Sequence, residues 1–375
     1  MKRTDFSVDW LFAACAPDTE LLPWNAQFTP VDLPHDWQIR HADDLYRDGT
    51  LFYRKYFFVT DVPGTRRMLW FGGAYMDTTV FVNGTEVGQW KYGYTSFWFD
   101  ITDALHEGQN EVLVRCNLRH PNSRWYSGAG LYRNVELWEA PDLHLMPDGL
   151  YVAAKEGDNG AWTVAVTAEV GSVTAASAGR TLTLHLTDDN GSLLGTAAIP
   201  ADAWAALPSP DGWRTGKETA IYKASHTFTL QDPALWDLDA PSFYHITAEL
   251  TGADGVTDTL TTRFGCRTIE ATPDCGLLVN HKRVLIKGVC IHHDFGCLGS
   301  AFEYSAAKRQ LEILKSMGVN SIRTGHTPPA PQFMDLADEM GILMDVESFD
   351  CWRRGKNPYD YGRFFDEWQE KDVAA

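Results

Sequence analysis

The chain of 375 residues carries 32 basic and 50 acidic residues, which gives a net charge of −18. This balance excludes nucleic acid and anionic membranes as expected partners, because either would require a basic face. Hydrophobic residues make up 44% and aromatic residues 13% of the sequence, which excludes a disordered or collagen-like chain and provides for packed cores.

The N-terminus and the cysteines bear on the cellular compartment. The first twelve residues, MKRTDFSVDWLF, have a basic start but no continuous apolar stretch, so they are not typical of a secretory signal. No segment is apolar for long enough to span a membrane. The seven cysteines are scattered and form no CxxC pair, which indicates neither a zinc site nor a disulfide framework. We therefore expect a reduced, cytoplasmic protein.

Residues 1–140 form the first predicted module, which from Phe52 to about Glu139 has the period of two that is typical of strands. Segments 67–71, 78–82 and 111–115 are rich in β-branched and aromatic residues. Asn83-Gly84 lies between two such runs and predicts a tight hairpin, since both turn positions need a positive φ. Many short strands separated by turn residues predict an all-β jelly-roll sandwich.

Residues 141–268 follow a proline-containing join and repeat the β pattern. Apolar and polar residues alternate over 162–169, 181–186 and 244–250. About seven such strands are typical of an immunoglobulin-like β-sandwich. This module holds no cluster of chemically useful side chains, so we interpret it as a spacer.

Residues 269–375 change to alternating strands and helices. The pattern predicts strands at 284–288, 319–323 and 342–346 and helices at 305–317 and 331–340, with Ser305 as a capping residue. This order is typical of a parallel sheet with right-handed crossovers. No GxGxxG follows the first strand, which argues against dinucleotide binding. A (β/α)8 TIM barrel needs about 250 residues, so we expect only the start of an incomplete barrel, about three of its eight units.

Polar residues follow each of the three predicted barrel strands. Barrel enzymes place their functional groups at these carboxyl ends, and three such ends together are more informative than one. The candidate substrate-binding residues are His292, Asp294, Arg323, His326, Glu347, Asp350 and Trp352.

Each candidate also has a plainer interpretation. His292, His293 and Asp294 could bind a metal, but neighbours in an extended chain point to opposite sides, so no metal site is predicted. Arg323 could form a buried structural ion pair. Trp352 could stack on a sugar or pack beneath its loop. An aromatic group in the first module is expected to pack in the core for at least half of its members, which are Trp90, Tyr92, Tyr94, Phe97 and Trp98.

Several motifs in fixed order resemble the N-terminal part of glycoside hydrolase family 2, the β-galactosidase and β-glucuronidase family. In the first module the resembling segments are LPHDW at 33–37, FYRK at 52–55, the run 80–99 and NSRWYSGAGLYR at 122–133. In the second they are PALW at 233–236 and FGCR at 264–267, and in the third KGVCIHHD at 287–294 and IRTGHTPP at 322–329.

The resemblance implies a retaining glycosidase that hydrolyses terminal non-reducing β-D-galactosides, with a homo-oligomer in the full-length enzyme. It implies no required cofactor, although some relatives hold a Mg²⁺ or Na⁺ ion. The residues that match His292 and His326 contact the sugar or the transition state, Arg323 orients carboxylates, and Asp350 lies in or near the sugar pocket. Thr327 and Val346 depart from the family pattern, which leaves fine substrate contacts open.

The family's acid/base glutamate follows an asparagine after the fourth barrel strand, and its nucleophile lies near the seventh. The only Asn-Glu pair here, Asn110-Glu111, lies in a predicted strand of the first module. We therefore expect no catalytic residue in this chain, with both glutamates beyond Ala375 and the chain alone inactive. The alternatives are a lectin-like carbohydrate-binding module, a β-glucuronidase or β-mannosidase segment, and a structural fragment that needs a partner.

Overall fold

A computed structural model describes residues 1–41, 43–60, 64–173, 179–207, 216–252 and 255–375. In this part of the chain 24 strands form six sheets, and three α-helices lie within the last quarter of the sequence. No helix among these residues is long and apolar enough to cross a membrane.

The first sandwich packs a four-stranded antiparallel sheet against a six-stranded one, in the orders β1-β10-β5-β8 and β3-β2-β4-β9-β6-β7. Its strands are β1 Lys2–Asp5, β2 Trp10–Cys15, β3 Thr29–Val31, β4 Gly49–Val59, β5 Thr65–Phe71, β6 Thr78–Val82, β7 Thr85–Trp90, β8 Phe97–Asp100, β9 Gly108–Leu118 and β10 Val135–Pro141. The predicted hairpin turn is confirmed, because Asn83 and Gly84 have φ values of 49° and 80°.

The second sandwich has two four-stranded antiparallel sheets, in the orders β11-β12-β16-β15 and β14-β13-β17-β18. Its strands are β11 Leu143–Glu156, β12 Ala161–Ser172, β13 Thr181–Asp188, β14 Leu193–Pro200, β15 Ala205–Ala206, β16 Ala220–Gln231, β17 Tyr244–Gly252 and β18 Gly255–Phe264. Along β13 and β17 every second side chain is buried, as the alternation predicts for strands that cover a core on one face.

A small antiparallel sheet, which the sequence pattern did not reveal, precedes the barrel strands. It consists of β19 Ile269–Thr272, β20 Gly276–Val279 and β21 Lys282–Arg283. Asn280 and His281 form its turn with positive φ values. The side-chain amide of Asn280 donates to the carbonyl of Trp236 at 3.0 Å, which ties the turn to the second sandwich.

Three parallel strands in the order β22-β23-β24 follow, as expected for the start of a barrel. The elements are β22 Gly288–Ile291, α1 Tyr304–Ser316, β23 Ser321–Thr324, α2 Pro331–Glu339, β24 Leu343–Val346 and α3 Phe365–Ala374. Apolar residues of α1, α2 and the strands form a separate core around Leu311, Ile322 and Phe333.

Two local predictions in this region were wrong. The first barrel strand begins at Gly288, whereas 284–287, predicted as strand, are irregular and expose 70% of Leu285. Glu303, and not Ser305, is the N-cap residue of α1, and no side chain caps that helix end. The apolar run at 284–287 therefore led to a wrong start for this strand. Its true start is defined by its hydrogen bonds with the neighbouring strand.

The segment after β24 packs on the first sandwich rather than on its own strands. Tyr361, Phe365 and Trp368 join the core of the jelly roll. Trp368 of α3 meets Trp90 edge to face, with ring centroids 5.6 Å apart. Because this contact is apolar and buried, it holds the loop after β24 against the jelly roll.

The second sandwich contacts the barrel portion through α2. The indole N–H of Trp236 donates to the carbonyl of Asp338 at 2.9 Å, and Arg263 pairs with Glu339 at 2.8 Å. These contacts place the second sandwich at the outer, helical side of the barrel portion. The interpretation of this module as a spacer stays a prediction.

Candidate functional site

The register of the parallel strands brings their carboxyl ends together. Ile291, Thr324 and Val346 are aligned across β22, β23 and β24. The residues that follow each of them therefore emerge at one edge of the sheet, where barrel enzymes carry their site.

Glu347 is the centre of the polar group at this edge. One carboxylate oxygen forms an ion pair with Arg323, and the other accepts a hydrogen bond from Nδ1 of His326 at 2.7 Å. Because Nδ1 of His326 carries this proton, Nε2 is the ring atom left for a ligand. Arg323 also donates to the thiol of Cys290 at 3.5 Å, and these two contacts raise the pKa of Arg323.

His292 lies beside His326 and is oriented by the backbone. Its Nδ1 donates to the carbonyl of Gly325, and its ring centroid lies 5.9 Å from that of His326. Nε2 of His292 has no hydrogen-bond partner within the described ranges. Among the described residues Nε2 of His326 has no hydrogen-bond partner either, so two imidazole nitrogens are left for a ligand at this edge of the sheet.

Trp125, from the first sandwich, covers this pair. Its ring stacks on His292 with centroids 5.4 Å apart and 8° between the planes, and it lies 5.5 Å from the ring of His326. The indole N–H of Trp125 is buried and has no partner among the described residues. A buried donor of this kind is expected to bond a water or a ligand atom.

His293 points the other way, as the extended chain predicts. Nε2 of His293 donates to the carbonyl of Ser127 at 2.9 Å, and its ring packs against Tyr94 and Tyr132. Burial lowers the pKa of His293 to about 3, so this ring is neutral at physiological pH. His293 therefore anchors the loop and does not belong to the open edge.

Asp350 lies between the two domains. Its side chain is 9% exposed and accepts hydrogen bonds from Arg124 of the jelly roll at 2.5 Å and from Lys356 at 2.8 Å. Burial alone would raise the pKa of Asp350, but the hydrogen bonds, led by that of Arg124, lower it below its ordinary value. Asp350 is thus a fixed negative charge at the rim.

A narrow cleft with room for about one water molecule lies between the jelly roll and the barrel portion. Trp125 and Asp350 line it together with Asn122, Thr327 and the ring of Tyr94. Its walls combine aromatic faces with amide, hydroxyl and carboxylate groups.

Two predicted site residues stand apart from this group. Asp294 makes no hydrogen bond or ion pair with any residue that the structure describes. Trp352 is 67% exposed and stacks on Phe365, with ring centroids 5.8 Å apart. The structure therefore brings together His292, Arg323, His326 and Glu347, places Asp350 at the rim, and leaves Asp294 and Trp352 outside.

The aromatic group of the first module packs mainly in the core. Trp90, Tyr92, Tyr94 and Phe97 are each less than 5% exposed, whereas Trp98 is partly buried. Tyr92 nevertheless reaches the barrel portion, because its hydroxyl donates to the carbonyl of Ser348 at 2.6 Å. This contact fixes the loop after β24 close to Glu347.

No group of three His, Cys, Asp or Glu side chains within the described part of the chain could hold a metal ion. That no cofactor is required, with a Mg²⁺ or Na⁺ ion possible as in some relatives, stays a prediction for this chain.

Arg124 and Trp125 were missed by the sequence reasoning. Both lie in the segment 122–133, which ends the alternating pattern and contains Gly128 and Gly130, two glycines with positive φ. The sequence signal that could have indicated these two residues was the Arg-Trp-Tyr run in a loop that contains glycines. That signal does not show which distant strand ends the loop contacts.

Comparison with known proteins agrees with this architecture. Family models for glycosyl hydrolases family 2 match the sugar-binding domain at residues 23–141, the middle domain at 148–267 and the TIM barrel domain at 271–361. The chain belongs to glycosyl hydrolase family 2. The resemblance in the sequence is thereby confirmed, as is the fold class of jelly roll, immunoglobulin-like sandwich and incomplete TIM barrel.

Relatives within family 2 match almost the whole chain. Beta-galactosidase BoGH2A of Bacteroides ovatus is 35% identical over 99% of this chain, and a putative beta-glucuronidase of Formosa agariphila is 31% identical over 99% of it. The chain spans 44% and 35% of the lengths of these two relatives.

Solved structures show the same arrangement of domains. A family 2 member from Bacteroides cellulosilyticus has a TM-score of 0.88 at 28% identity, and a beta-glycosidase from Bacteroides vulgatus has 0.84 at 28%. Each matches 100% of this chain, which covers 49% and 48% of theirs.

Proposed function

We propose that this chain forms the sugar-binding side of a retaining glycosidase that acts on terminal non-reducing β-D-galactosides. The observation that carries the proposal is the meeting of Trp125 of the jelly roll with His292 and His326 at the strand ends. The stacked ring offers an apolar face, and the two free imidazole nitrogens offer hydrogen-bonding groups for hydroxyls.

Glu347 orients this group in the proposal and does not attack the sugar. A retaining mechanism uses two carboxyl groups about 5–5.5 Å apart, one as acid/base and one as nucleophile. Both oxygens of Glu347 are engaged, by Arg323 and by His326. Asp350 is likewise engaged by two cations. We infer that the catalytic glutamates belong to barrel strands that follow Ala375 in a longer polypeptide.

The resemblance to beta-galactosidase BoGH2A favours a galactoside, and the putative beta-glucuronidase supports a second candidate, a β-glucuronide. Calorimetric titration of the chain with galactose, lactose and glucuronate separates these two. Binding of galactose or lactose but not of glucuronate is expected. Binding of glucuronate alone would replace the galactoside proposal by the second candidate.

Hydrolysis is tested with a chromogenic β-galactoside, applied to the chain and to a longer product of the same reading frame. No turnover by the chain and clear turnover by the longer product are expected. Hydrolysis by the chain itself would place the catalytic pair among its own residues. Sugar binding without hydrolysis in either preparation would favour a carbohydrate-binding module.

A further inference from the structure

One buried carboxylate joins the two sides of the candidate site. Asp36 is 3% exposed. Its Oδ1 accepts hydrogen bonds from the amides of Gln38 at 3.0 Å and Ala129 at 3.1 Å. Its Oδ2 accepts from the hydroxyl of Tyr126 at 2.6 Å, and from the amide and hydroxyl of Ser300 at 2.9 and 3.1 Å.

These donors come from three separate segments. Gln38 follows Asp36 in the jelly roll, and Tyr126 and Ala129 lie in the loop that carries Trp125. Ser300 lies in the loop between β22 and α1, the loop that begins with His292. One carboxylate therefore holds both of the loops that form the Trp125–His292 stack.

Asp36 has no ion-pair partner in the described part of the chain, so hydrogen bonds alone compensate for its burial. An isolated buried carboxylate is costly unless donors fill its acceptor sites. Apolar side chains of similar volume often stabilise a fold as well as buried charges do. Five donors converging from three segments therefore indicate a geometric role.

Two glycines let the backbone close around this carboxylate. Gly299 has φ +62°, and a Cβ there would lie 2.2 Å from Oδ2 of Asp36. Gly128 has φ +67°, and a Cβ there would lie 1.8 Å from the hydroxyl of Ser300. Both positions require glycine for two reasons. Each has a positive φ, and a Cβ atom at either position would collide with a neighbouring side chain.

We propose that Asp36 is a positioning residue that fixes the distance between Trp125 and His292 and thereby the width of the sugar site. Only its effect on sugar affinity rests on the proposed function. Its effect on the loops that carry Trp125 and His292 is expected in the chain without any ligand. The two effects can therefore be measured separately.

Hydrogen exchange of individual amides tests the effect on the loops. In Asp36→Asn the amides of Ser300 and Ala129 lose their charged acceptor and should exchange at least about tenfold faster, since a hydrogen bond to a charged group is among the stronger ones. Ser300→Ala removes one donor, spares the backbone, and should give a smaller increase at Ala129. Unchanged exchange at both amides in Asp36→Asn would overturn the proposal.

Asp100→Asn is the matched control. Asp100 is 4% exposed, and its hydrogen bonds come from Arg66 and Thr102, both within the jelly roll. This variant loses a buried carboxylate of the same domain but should leave the exchange of Ser300 unchanged. Equal acceleration of Ser300 in Asp100→Asn would show general destabilisation and refute a specific role of Asp36.

Fluorescence gives a second readout of the stack. The ring of His292 covers one face of the Trp125 indole and shields it from a dissolved quencher such as acrylamide. Subtracting the spectrum of the matching Trp125→Phe variant isolates the signal of Trp125 from those of the other tryptophans. Acrylamide should quench this signal more strongly in Asp36→Asn, and to a smaller extent in Ser300→Ala, than in the unaltered chain. Quenching equal to that of the unaltered chain in both variants would contradict the proposed positioning.

Sugar titration completes the test. Asp36→Asn should weaken galactose or lactose binding by about tenfold, and Asp100→Asn should bind as the unaltered chain does. If the unaltered chain binds no sugar, the proposed function fails, while exchange and fluorescence still decide the role of Asp36. Full sugar affinity in an Asp36→Asn variant with loosened loops would refute the link between Asp36 and the width of the site.

Discussion

The indole of Trp125 and the imidazole of His292 lie face to face, 5.4 Å apart and 8° from parallel, although they belong to different domains. The strand ends of the barrel portion therefore acquire an aromatic wall that their own sequence does not encode. The two domains also meet at the rim of the site, where Arg124 of the jelly roll forms an ion pair with Asp350 of the barrel portion. The first sandwich is part of the site and not only its neighbour.

Trp125→Ala is expected to weaken sugar binding by about tenfold or more, because it removes the stacked face and the free N–H of the cleft. Calorimetric titration with lactose measures the change. Trp24→Ala is the control, since Trp24 is 97% exposed in the same domain. Equal affinities for lactose in the unaltered chain, Trp125→Ala and Trp24→Ala would show that Trp125 does not contact the sugar.

Glu347→Gln should abolish measurable sugar binding but change the free energy of unfolding by no more than about 1 kcal/mol. The ion pair with Arg323 is partly exposed, and pairs of this kind contribute little to stability. The orientation of His326 depends on the same carboxylate, and the neutral amide holds it less firmly. Titration and denaturant unfolding give the two quantities.

Glu339→Gln provides the comparison for this prediction. Glu339 forms a partly exposed ion pair with Arg263, away from the strand ends. It should show the same small loss of stability and full sugar binding. A large loss of stability in Glu347→Gln alone would assign Glu347 to the fold and not to the ligand.

The docking of α3 should weaken as the pH rises from about 4 to about 7. Asp372 is 4% exposed, and burial raises the pKa of its carboxyl to about 7 from an ordinary value of 3.8. Since the folded state holds the proton more tightly, the stabilisation is complete below pH 3.8 and is lost as the pH rises through 7. Hydrogen exchange of the α3 amides at pH 5 and pH 8 measures this change, after correction for intrinsic rates.

Asp372→Asn should remove this pH dependence, because an amide stays neutral and can still accept from Tyr361. Asp366→Asn, an exposed change on the same helix, should leave it intact. Identical pH profiles for the unaltered chain and Asp372→Asn would show that Asp372 does not titrate in this range.

His293 should make the loop between β22 and α1 sensitive to acid. Its pKa is lowered to about 3 by burial, against an ordinary value of 6.5. The stabilisation from this ring is therefore complete above pH 6.5 and is lost as the pH falls toward 3. Hydrogen exchange of residues 292–303 between pH 7 and pH 4.5 should reveal the loss.

His293→Gln should reduce this acid sensitivity, since the glutamine amide can donate to Ser127 without titrating. His35 also has a pKa lowered by burial, to about 4, so part of the sensitivity of the jelly roll should remain. His106→Gln, at an exposed position, is the control. Acid sensitivity equal to that of the unaltered chain in His293→Gln would contradict this assignment.

The sandwiches could be predicted because their information is local. Alternation along β13 and β17 and the Asn83-Gly84 turn each depend on a few neighbouring residues. The start of β22 could not be placed in this way, because 284–287 are as apolar as a buried strand and yet lie outside the sheet. Only the pairing of residues 288–291 with β23 distinguishes the strand from the apolar segment that precedes it.

The site could be predicted where it depends on strand order alone. His292, His326 and Glu347 follow consecutive parallel strands, and that order places them at one edge. Trp125 and Asp36 could not be found, because their role depends on how two domains dock. A pattern within one segment contains no information about a partner surface elsewhere in the chain.

The anchor between Ser127 and His293 joins positions that are 166 residues apart. At about 5–20 residues per second, a ribosome needs roughly 10 to 30 s of translation between them. Domains generally fold as units in the order of their synthesis. The loop with Trp125 can therefore be in place before β22 emerges, and the nascent barrel strands can assemble on a surface that is already formed.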